Sequence, residues 1–402
     1  MRSWLLILFI SYFTLEVCSF IGLRALTSFT NIRYKALPFN HLPDDVEAQL
    51  DQLLDNNFHR YLAFDPVLGW SIKPNGTNKL YRANAQGFRA MRNYSLLPQK
   101  GIVRISTFGD SFTHGDDVAI ENTWQVKLEE LITGSEVLNF GVPAYGPGQA
   151  YLRYREFGHK FKAHIVLICF MTENIFRSIN VFRPFYRTEY AFPLAKPRFT
   201  MRNNRLELIP NPMPSLDHYR NLKNSPESTL RLLGEHDLFF ENRYRASIFD
   251  ISPFVRIAKL TAYEFSLYRS SIVFNSTGVY DTSTEAFAVV TGILNLFRNE
   301  IHKNGAIPVV MVFPQKILGE GDSQTKVYEP LLEWLTEQGI SYIDAQNAFD
   351  KYGKNIPLSH LTVGDWQHYS PTANKMIARY LQDWLDEGPL KNIHIADGRR
   401  SD

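Results

Sequence analysis

The first apolar feature of the chain is a long run near its N-terminus. Residues 4–23 read WLLILFISYFTLEVCSFIGL, and one charge, Glu16, interrupts them. A membrane-spanning helix needs about 20 apolar residues, so the run is long enough for an anchor. A cleaved signal peptide and a buried helix of a soluble protein are the alternatives, but no small-x-small cleavage site follows the run. We therefore expect residues 1–24 to form an uncleaved membrane anchor, with the remainder of the chain outside the cytoplasm, because Arg2 and the free amine precede the run.

After residue 100 the pattern changes to short apolar runs that alternate with amphipathic segments. The apolar runs are rich in β-branched residues and nearly continuous, as in parallel strands that helices cover on both faces. The predicted strands are Ile102–Phe108, Glu136–Phe140, His164–Phe170, Ile307–Phe313 and Ile340–Asp344. The predicted helices are Trp124–Ile132, Gly148–Phe157, Glu285–Lys303, Tyr328–Gln338 and Pro371–Trp384. This alternation predicts an α/β domain with a doubly wound, five-stranded parallel sheet and right-handed crossovers.

Helix 285–303 carries signals for both of its ends. Thr282-x-x-Glu285 has the pattern of a capping box, which predicts the helix start. Gly305 follows the last periodic residue, where glycine commonly ends a helix.

Two stretches lack this α/β rhythm. Residues 25–100 predict an irregular extension that packs on the core and contains one helix, Asp44–Asn56. Residues 175–282 separate the third strand from the next helix and are too long for an ordinary loop. Within this insertion we predict a hairpin over 198–209 that turns at Asn203-Asn204, followed by the helices Ser228–Glu235 and Pro253–Leu267. The insertion begins at the carboxyl end of a strand, so a substrate-binding cap and a purely structural excursion both fit. Residues 101–388 then form one α/β domain with this insertion, and 389–402 form a tail.

Charge and cysteine content exclude several classes of function. The chain has 43 basic and 41 acidic residues, a formal net charge of +2, and so shows no electrostatic case for binding nucleic acid. Its two cysteines, Cys18 and Cys169, lie in apolar runs and predict neither a disulfide framework nor a cysteine metal site. The sequence also lacks a Gly-x-Gly-x-x-Gly fingerprint, a P-loop and His-x-x-x-His zinc spacing. We therefore predict neither a cofactor nor a metal.

The first predicted strand ends in Gly109-Asp110-Ser111. These residue types fit a turn in which Ser111 caps the next helix. They also fit a nucleophilic serine at the carboxyl end of a strand, where α/β sheets place their binding sites. A serine hydroxyl needs a neighbouring base to attack at neutral pH.

Two histidines are candidates for this base. His114 lies close to Ser111 in sequence, but a histidine three residues after the start of a helix is expected to point to solvent. His368 is the better candidate, because Asp365 precedes it by three residues and a carboxylate can fix the tautomer of a catalytic imidazole. The pair also follows the fifth strand, at the sheet edge that carries Ser111.

Two further loops at this edge offer donors for an oxyanion. The loop 139-NFGVPAYGPGQ-149 offers backbone N–H groups, and 170-FMTENIF-176 offers the side chain of Asn174. Each loop alone also fits an ordinary turn or a helix cap. Together, however, four strand ends carry in order a serine, a glycine-rich loop, an asparagine and an Asp-x-x-His pair. That order indicates an acyl-transfer site.

These four blocks resemble those of the SGNH hydrolases, also called GDSL esterases. The resemblance covers about residues 102–174 and 284–385, and 68-LGWSIKPN-75 and 84-NAQGFR-89 resemble the lead-in of membrane-anchored bacterial members. It implies a flavodoxin-like three-layer α/β/α fold and serine acyl-hydrolase chemistry without a metal. It also implies that Ser111 is the nucleophile, His368 the general base and Asp365 its orienting partner. Asn174 and the backbone N–H of Ser111 would be oxyanion donors.

The sequence departs from the pattern of that family at two places. The third block usually reads Gly-x-Asn-Asp, whereas here residues 172–175 read TENI. In the second block Ala144 stands where the family generally has its donor glycine, and Gly141 and Gly146 flank it. The sequence leaves open which of Gly141, Ala144 and Gly146 donates.

The predicted function is hydrolysis of acyl esters, with acetyl esters of cell-envelope or exported carbohydrate as the expected substrate. Two alternatives stay open at this point: transfer of the acyl group to a sugar hydroxyl by the same residues, and a catalytically decayed glycan-binding or assembly module. An aromatic-rich part of the insertion fits either a sugar platform or ordinary packing; it contains Phe182, Phe185, Tyr186, Tyr190 and Phe192. The acyl chain, the alcohol and the oligomeric state are left open.

Overall fold

The structure is a computed structural model that describes residues 2–29, 42, 44–55, 59–186, 192–240, 248–269, 272–318, 326–365 and 367–388. Its helices are α1 Arg2–Phe29, α2 Asp44–Leu54, α3 Ser111–His114, α4 Trp124–Leu131, α5 Pro147–Glu156, α6 Asn174–Ser178, α7 Arg183–Tyr186, α8 Leu216–Asn224, α9 Pro226–Gly234, α10 Pro253–Arg269, α11 Glu285–Lys303, α12 Glu329–Glu337, α13 Gln346–Tyr352 and α14 Pro371–Glu387. Its strands are β1 Leu62–Asp65, β2 Gly69–Ile72, β3 Val103–Phe108, β4 Ser135–Asn139, β5 Ile165–Met171, β6 Arg198–Arg202, β7 Arg205–Ile209, β8 Ile307–Phe313, β9 Tyr342–Asp344, β10 Thr362–Val363 and β11 His368–Tyr369.

The central sheet has five parallel strands in the order β4-β3-β5-β8-β9. Counted along the chain this is the order 2-1-3-4-5 of flavodoxin-like folds. All five predicted strands are present, so the predicted fold class is confirmed. The edge at which these parallel strands end is where such folds bind ligands.

Helices cover both faces of this sheet and produce two separate apolar cores. Val166, Ile168 and Phe170 of β5 join the core that includes α5, α11 and α12. Ile165, Leu167, Cys169 and Met171 alternate with them and join the core that includes α4, α13 and α14. Because both faces are covered, every residue of β3 and β5 is buried. This explains the nearly continuous apolar runs in the sequence.

The structure tests the signals that the sequence shows for the two ends of helix α11. The N-cap is Thr284, whose hydroxyl accepts a hydrogen bond from the N–H of Phe287, so the predicted capping box at Thr282 is wrong. At the other end Gly305 has a φ of +79°, and its N–H bonds to the carbonyl of His302, as expected for a glycine that ends a helix.

The predicted hairpin of the insertion is also confirmed. Strands β6 and β7 pair antiparallel, and Asn203 and Asn204 between them both have positive φ. Two consecutive left-handed residues define the turn type that two-residue hairpins favour. The β1–β2 hairpin and helices α8 and α13 were not predicted; β1 and β2 have only four residues each, too few to show a clear alternation.

The N-terminal extension and the insertion contribute to the same core as α5 and α11. Tyr61, Trp70 and Phe88 of the extension are each at most 1% exposed. Phe182 and Phe185 of the insertion are equally buried, so they pack in the core and cannot form a sugar platform. Tyr190 lies outside the described residues.

Helix α1 contains the apolar run. Within the described residues it is the one helix long and apolar enough to cross a membrane, over Trp4–Leu26, and little of that segment is buried. A membrane anchor and a signal sequence both have this property.

Candidate active site

Ser111 begins helix α3, and two residues separate it from Phe108, where strand β3 of the central sheet ends. The N-cap of this helix is Asp110, whose carboxylate accepts from the N–H of Phe112 at 3.0 Å. Ser111 is therefore the first helical residue, and its hydroxyl is not used as a cap. Gly109 makes the tight turn possible, because an added Cβ would lie 2.1 Å from Oγ1 of Thr113. The interpretation of Ser111 as a capping residue is thus wrong, and Ser111 lines a cavity.

The cavity lies at the carboxyl edge of the sheet. Its lining includes residues that follow four different strands or belong to the last hairpin: Ser111 after β3, Ala144 after β4, Glu173 after β5, Gln315 after β8 and His368 on β11. Parallel strands end at one edge, so loops that are distant in sequence meet there. Ser111 and His368, the predicted nucleophile and base, therefore share one cavity.

His368 is fixed by a small hairpin. Strands β10 and β11 pair antiparallel with Val363 opposite His368, and the neighbouring Tyr369 donates its hydroxyl to the carbonyl of Pro314 at 2.7 Å. The imidazole packs against Phe112, with ring centroids 5.1 Å apart. These contacts connect the hairpin to the end of β8 and to the residue after Ser111.

The carboxylate that orients His368 belongs to Asp117. Nδ1 of His368 lies 2.7 Å from Oδ2 of Asp117. Asp365 is exposed at the tip of the β10–β11 hairpin, so its predicted role as the partner of His368 is wrong. The reason is the positive φ of Gly364 and Gln367, which turns the chain back within four residues and leaves Asp365 in solvent. With Nδ1 bound to a carboxylate, Nε2 is the nitrogen left to accept a proton.

The backbone of Gly364 allows this pairing. An added Cβ at Gly364 would lie 2.3 Å from Oδ2 of Asp117, the oxygen that bonds to His368. Gly364 also has a φ of +71°, which residues with a Cβ rarely adopt. Asp117 itself has a φ of +63°, which aspartate tolerates better than most residues. Asp117 follows Ser111 by only six residues. The two adjacent carboxylates in Gly115-Asp116-Asp117 were the sequence signal for a partner of His368, but the Asp-x-x-His pattern was preferred.

Three carboxylates control the charge of His368. Burial alone would lower its pKa, but the hydrogen bond with Asp117 and the charges of Asp116 and Asp110 raise the pKa above the ordinary 6.5. The carboxylates raise the pKa because they stabilise the imidazolium that forms when His368 takes a proton, and the imidazole is therefore a stronger base.

His114 lies beneath the loop that carries Asp117. It is fully buried, against the expectation that it points to solvent. Its Nε2 lies 2.7 Å from the hydroxyl of Tyr61, and its Nδ1 bonds to Asp116. Burial, with the nearby Arg89 guanidinium, lowers the pKa of His114 to about 4 although Asp116 opposes this. His114 is therefore a neutral structural histidine at physiological pH.

Arg89 holds the same loop from the N-terminal extension. Its guanidinium, 2% exposed, donates to the carbonyls of His114 at 2.9 Å, of Gly115, and of Val118 at 2.6 Å. These bonds fix the backbone on both sides of Asp117. The sequence did not predict this role, because Arg89 is 22 residues before Ser111 and on a different part of the fold.

Of the three backbone groups proposed as oxyanion donors, two are already used. The N–H of Gly141 donates to Oδ1 of Asn139 at 3.0 Å, and that of Gly146 donates to Oε1 of Gln149 at 3.1 Å. The N–H of Ala144 donates to no acceptor in the described part of the chain, and Ala144 lines the cavity. Ala144 has a φ of +67°, so it occupies the left-handed region where a glycine would carry no strain.

Asn174 begins helix α6 and is buried, at 2% exposure. Its side chain lies near Asp110 and counteracts the rise in the pKa of that carboxyl that burial causes, while the preceding Glu173 lines the cavity. Arg177 bridges Asp110 and Glu173, with nitrogen–oxygen distances of 3.3 and 2.8 Å, and donates to the carbonyl of Tyr145 at 3.0 Å. Asn174 and Arg177 thus tie the loops after β3, β4 and β5 together.

Comparisons with known proteins give structural neighbours only. No protein-family model matches the chain, and no curated protein matches its sequence. A lipolytic protein of the G-D-S-L family from Desulfitobacterium hafniense matches with 14% identity and a TM-score of 0.33, covering 70% of this chain and 98% of its own. A member of the lipolytic G-D-S-L family from Veillonella parvula has 10% identity and a TM-score of 0.33, covering 70% and 97%. The acetylxylan esterase from Geobacillus stearothermophilus has 14% identity and a TM-score of 0.32, covering 71% and 95%. The names of the first two neighbours contain the G-D-S-L family that the sequence motifs resemble. The fold assignment for this chain depends on the strand order described above.

Proposed function

We propose that the protein is a serine esterase in which Ser111 is the nucleophile, His368 the general base and Asp117 the group that orients His368. The observation that carries the proposal is the position of His368. Its Nδ1 is bound to Asp117 at 2.7 Å, and His368 lines the same cavity as Ser111. A base oriented by a carboxylate beside a serine at a strand end is the arrangement that acyl transfer requires.

The reaction would proceed in two steps. Nε2 of His368 takes the proton of Ser111 as Oγ attacks the ester carbonyl, and the tetrahedral oxyanion accepts from the N–H groups of Ser111 and Ala144. The imidazolium then protonates the leaving alcohol, and the acyl group stays on Ser111. In the second step His368 removes a proton from water, which attacks the acyl-enzyme and releases the carboxylic acid and free Ser111.

The helix start at Ser111 supports this assignment of donors. The first N–H groups of a helix have no partner within the helix, and the N–H of Ser111 is one of them. The N–H of Ala144 is the second unengaged donor of the described loops that line the cavity. We keep Asn174 as a third candidate donor, because its side chain lies near Asp110, the residue before Ser111.

The proposed substrate is a short acyl ester, acetyl in the first instance, on a carbohydrate. The cavity encloses about 190 Å³, which is below the range of roughly 300 to 1,000 Å³ that is usual for small-molecule pockets. A cavity of that size suits an acetyl group and leaves the alcohol part outside. The carbohydrate is suggested by the acetylxylan esterase among the structural neighbours. With α1 as an anchor, the site would face the outside of the cytoplasm.

The test is hydrolysis of p-nitrophenyl acetate and of acetylated xylo-oligosaccharides by the full chain in detergent. We expect Ser111→Ala and His368→Ala each to lose at least a thousandfold in kcat/KM. The exposed Ser228→Ala and His360→Ala are matched controls and should keep wild-type activity. Equal activity of Ser111→Ala and wild type would refute the nucleophile assignment.

Trapping with a serine-reactive fluorophosphonate separates the alternatives when the wild type does not hydrolyse either ester. Labelling of wild type but not of Ser111→Ala would show an activated serine, and acyl transfer to an added sugar would then identify a transferase. A chain that neither hydrolyses the esters, nor reacts with the fluorophosphonate, nor transfers an acyl group would refute the esterase proposal and favour the binding module.

A further inference from the structure

The insertion exposes an apolar segment that the active site does not explain. Residues 248–254, here called the apolar tip, comprise a short 3-10 turn and the start of α10. Within it Ile248 is 86% exposed, Phe249 69%, Ile251 84% and Phe254 40%. Single exposed apolar residues are ordinary on protein surfaces, but four large ones within seven positions indicate a contact surface.

The apolar tip lies against helix α1, at Glu16. One carboxylate oxygen of Glu16 accepts from the N–H of Phe254 at 3.1 Å, and the other accepts from the hydroxyl of Ser252. Glu16 is the single charged residue of the apolar run 4–23. Its charge, which would be costly in lipid, is therefore engaged by the N-terminus of α10, where the helix dipole also favours an anion.

From Glu16 onward α10 runs alongside α1. Ser19 of α1 is buried at 6% exposure, and a Cβ added to Gly22 would lie 3.2 Å from Cδ1 of Ile257. Glu16, Ser19 and Gly22 are spaced by three residues and share one face, and small residues on such a face let helices approach closely. The part of α1 before Glu16 is exposed on all sides, with Trp4 at 72% and Phe9 at 67%.

The backbone at the start of α10 has the property that a bilayer demands. Pro253 has no N–H, and the next three N–H groups donate within the protein: Phe254 to Glu16, Val255 to Oγ of Ser252 at 3.2 Å and Arg256 to the carbonyl of Ser252 at 3.1 Å. In water these donors could bond to solvent, whereas in hydrocarbon an unsatisfied N–H group is strongly unfavourable because no water is present to accept its hydrogen bond.

The charged residues of the apolar tip are also paired. Asp250 is 8% exposed and forms an ion pair with Lys259, and its carbonyl accepts from Nε of Arg256. The side chains that remain exposed on the apolar tip are therefore almost entirely hydrocarbon.

We propose that the apolar tip inserts into the hydrocarbon layer of the same membrane that α1 enters, so that the insertion forms a second membrane contact beside the anchor. The occupant of this surface is lipid acyl chain. The surface of the tip is continuous with the exposed apolar surface of α1 through Glu16. The satisfied N–H groups of residues 254–256 and the ion pair of Asp250 with Lys259 lower the free-energy cost of placing this segment in lipid.

The test places a fluorophore on the tip of the full chain in phosphatidylcholine vesicles. Ile251→Cys in a Cys18→Ser background is labelled with an environment-sensitive dye, and Cys169 stays unlabelled because it is 3% exposed. Lipids with a spin label near the end of the acyl chain quench the dye only when the dye lies in the hydrocarbon layer. A water-soluble quencher quenches the dye only when the dye is exposed to water. Leu8→Cys is the membrane control, and Met91→Cys, 61% exposed on the extension, is the water control.

We expect the label at position 251 to follow the label at position 8, with strong quenching by the acyl-chain spin label and little by the aqueous quencher. A label at 251 that behaves like the one at 91 would overturn the proposal. A label at position 8 that faces water would overturn it as well, since α1 would then not enter the bilayer. Since position 251 is 84% exposed, the substitution leaves the fold intact, and near-wild-type melting of the labelled chain verifies this.

Discussion

Replacing Asp117 by Asn tests which carboxylate orients His368. Asparagine keeps the size of the side chain but removes the charge that lies 2.7 Å from Nδ1. The side chain of Asp117 is 35% exposed, so solvent screens the interaction and an effective dielectric constant of about 40 is more suitable than the ~20 used for buried pairs. Coulomb's law then gives about 3 kcal/mol for stabilising the imidazolium, which corresponds to about a hundredfold in rate at ~1.4 kcal/mol per decade.

The assay is kcat/KM for p-nitrophenyl acetate as a function of pH, measured for wild type, Asp117→Asn and Asp365→Asn. Catalysis needs neutral His368, so activity should rise with pH through the pKa of His368, which lies above 6.5 in the wild type. Asp117→Asn should lower the plateau about a hundredfold and move the midpoint of the acid limb to lower pH, because the group that most raises the pKa is gone. Asp365→Asn should change neither quantity, since Asp365 is exposed in the hairpin turn.

The reasoning would be refuted by the reverse result, in which Asp365→Asn loses activity and Asp117→Asn does not. A loss in Asp117→Asn without a shift of the acid limb would also contradict it, because a merely structural defect lowers activity at every pH alike. Thermal melting of each variant excludes unfolding as the cause.

Three further predictions concern loops of the site and the histidine beneath it. Gly364→Ala should lower kcat/KM at least tenfold and move the acid limb of the pH profile to lower pH, since the added Cβ would displace the carboxylate of Asp117. The control is Gly278→Ala, which adds backbone strain alone, because Gly278 has a φ of +83° and a Cβ added there would have no atom within 4 Å. Ala144→Gly should keep activity within about threefold and change the free energy of unfolding by less than about 1 kcal/mol. Glycine relieves the left-handed strain in the folded state but also makes the unfolded chain more flexible, and these two effects on stability oppose each other. A tenfold loss of activity would contradict this prediction. The pKa of His114 is about 4 in the folded protein and about 6.5 in the unfolded chain, so below pH 6.5 the unfolded state binds a proton that the folded state excludes. The free energy of unfolding, measured by urea titration, should therefore fall by up to about 3 kcal/mol between pH 6.5 and 4. His114→Asn should show a smaller fall.

The sequence predicted the sheet because its signals are local. The strand of residues 307–313 has the predicted bounds, and β5 differs from its prediction by one residue at each end. The apolar side chains of such a strand are buried wherever the strand lies in the sheet, so their pattern does not depend on the neighbours. The turn at Asn203-Asn204 was predicted for the same reason, since positive φ is a property of these residues themselves.

The predictions about Asp365 and His114 were wrong because they used sequence distance in place of spatial distance. Asp365 is three residues from His368 but at the far side of a tight turn, whereas Asp117 is 251 residues away and in contact. His114 follows Ser111 on one turn of helix, but the extension covers it through Tyr61 and Arg89. The sequence could not show that residues 59–90 would lie over this loop.

The sequence by itself determined the strands, most of the helices, and the edge of the sheet at which Ser111 and His368 meet, because apolar periodicity and the parallel arrangement of strands follow from the chain's own pattern. The tertiary structure decided which carboxylate orients His368 and which cavity-lining loop N–H has no acceptor among the described residues. It also decided that Glu16 accepts the hydrogen bond from the N-terminus of α10. These hydrogen bonds join segments that are far apart in sequence. Which groups pair is determined by how the segments pack, and no local sequence pattern encodes that packing.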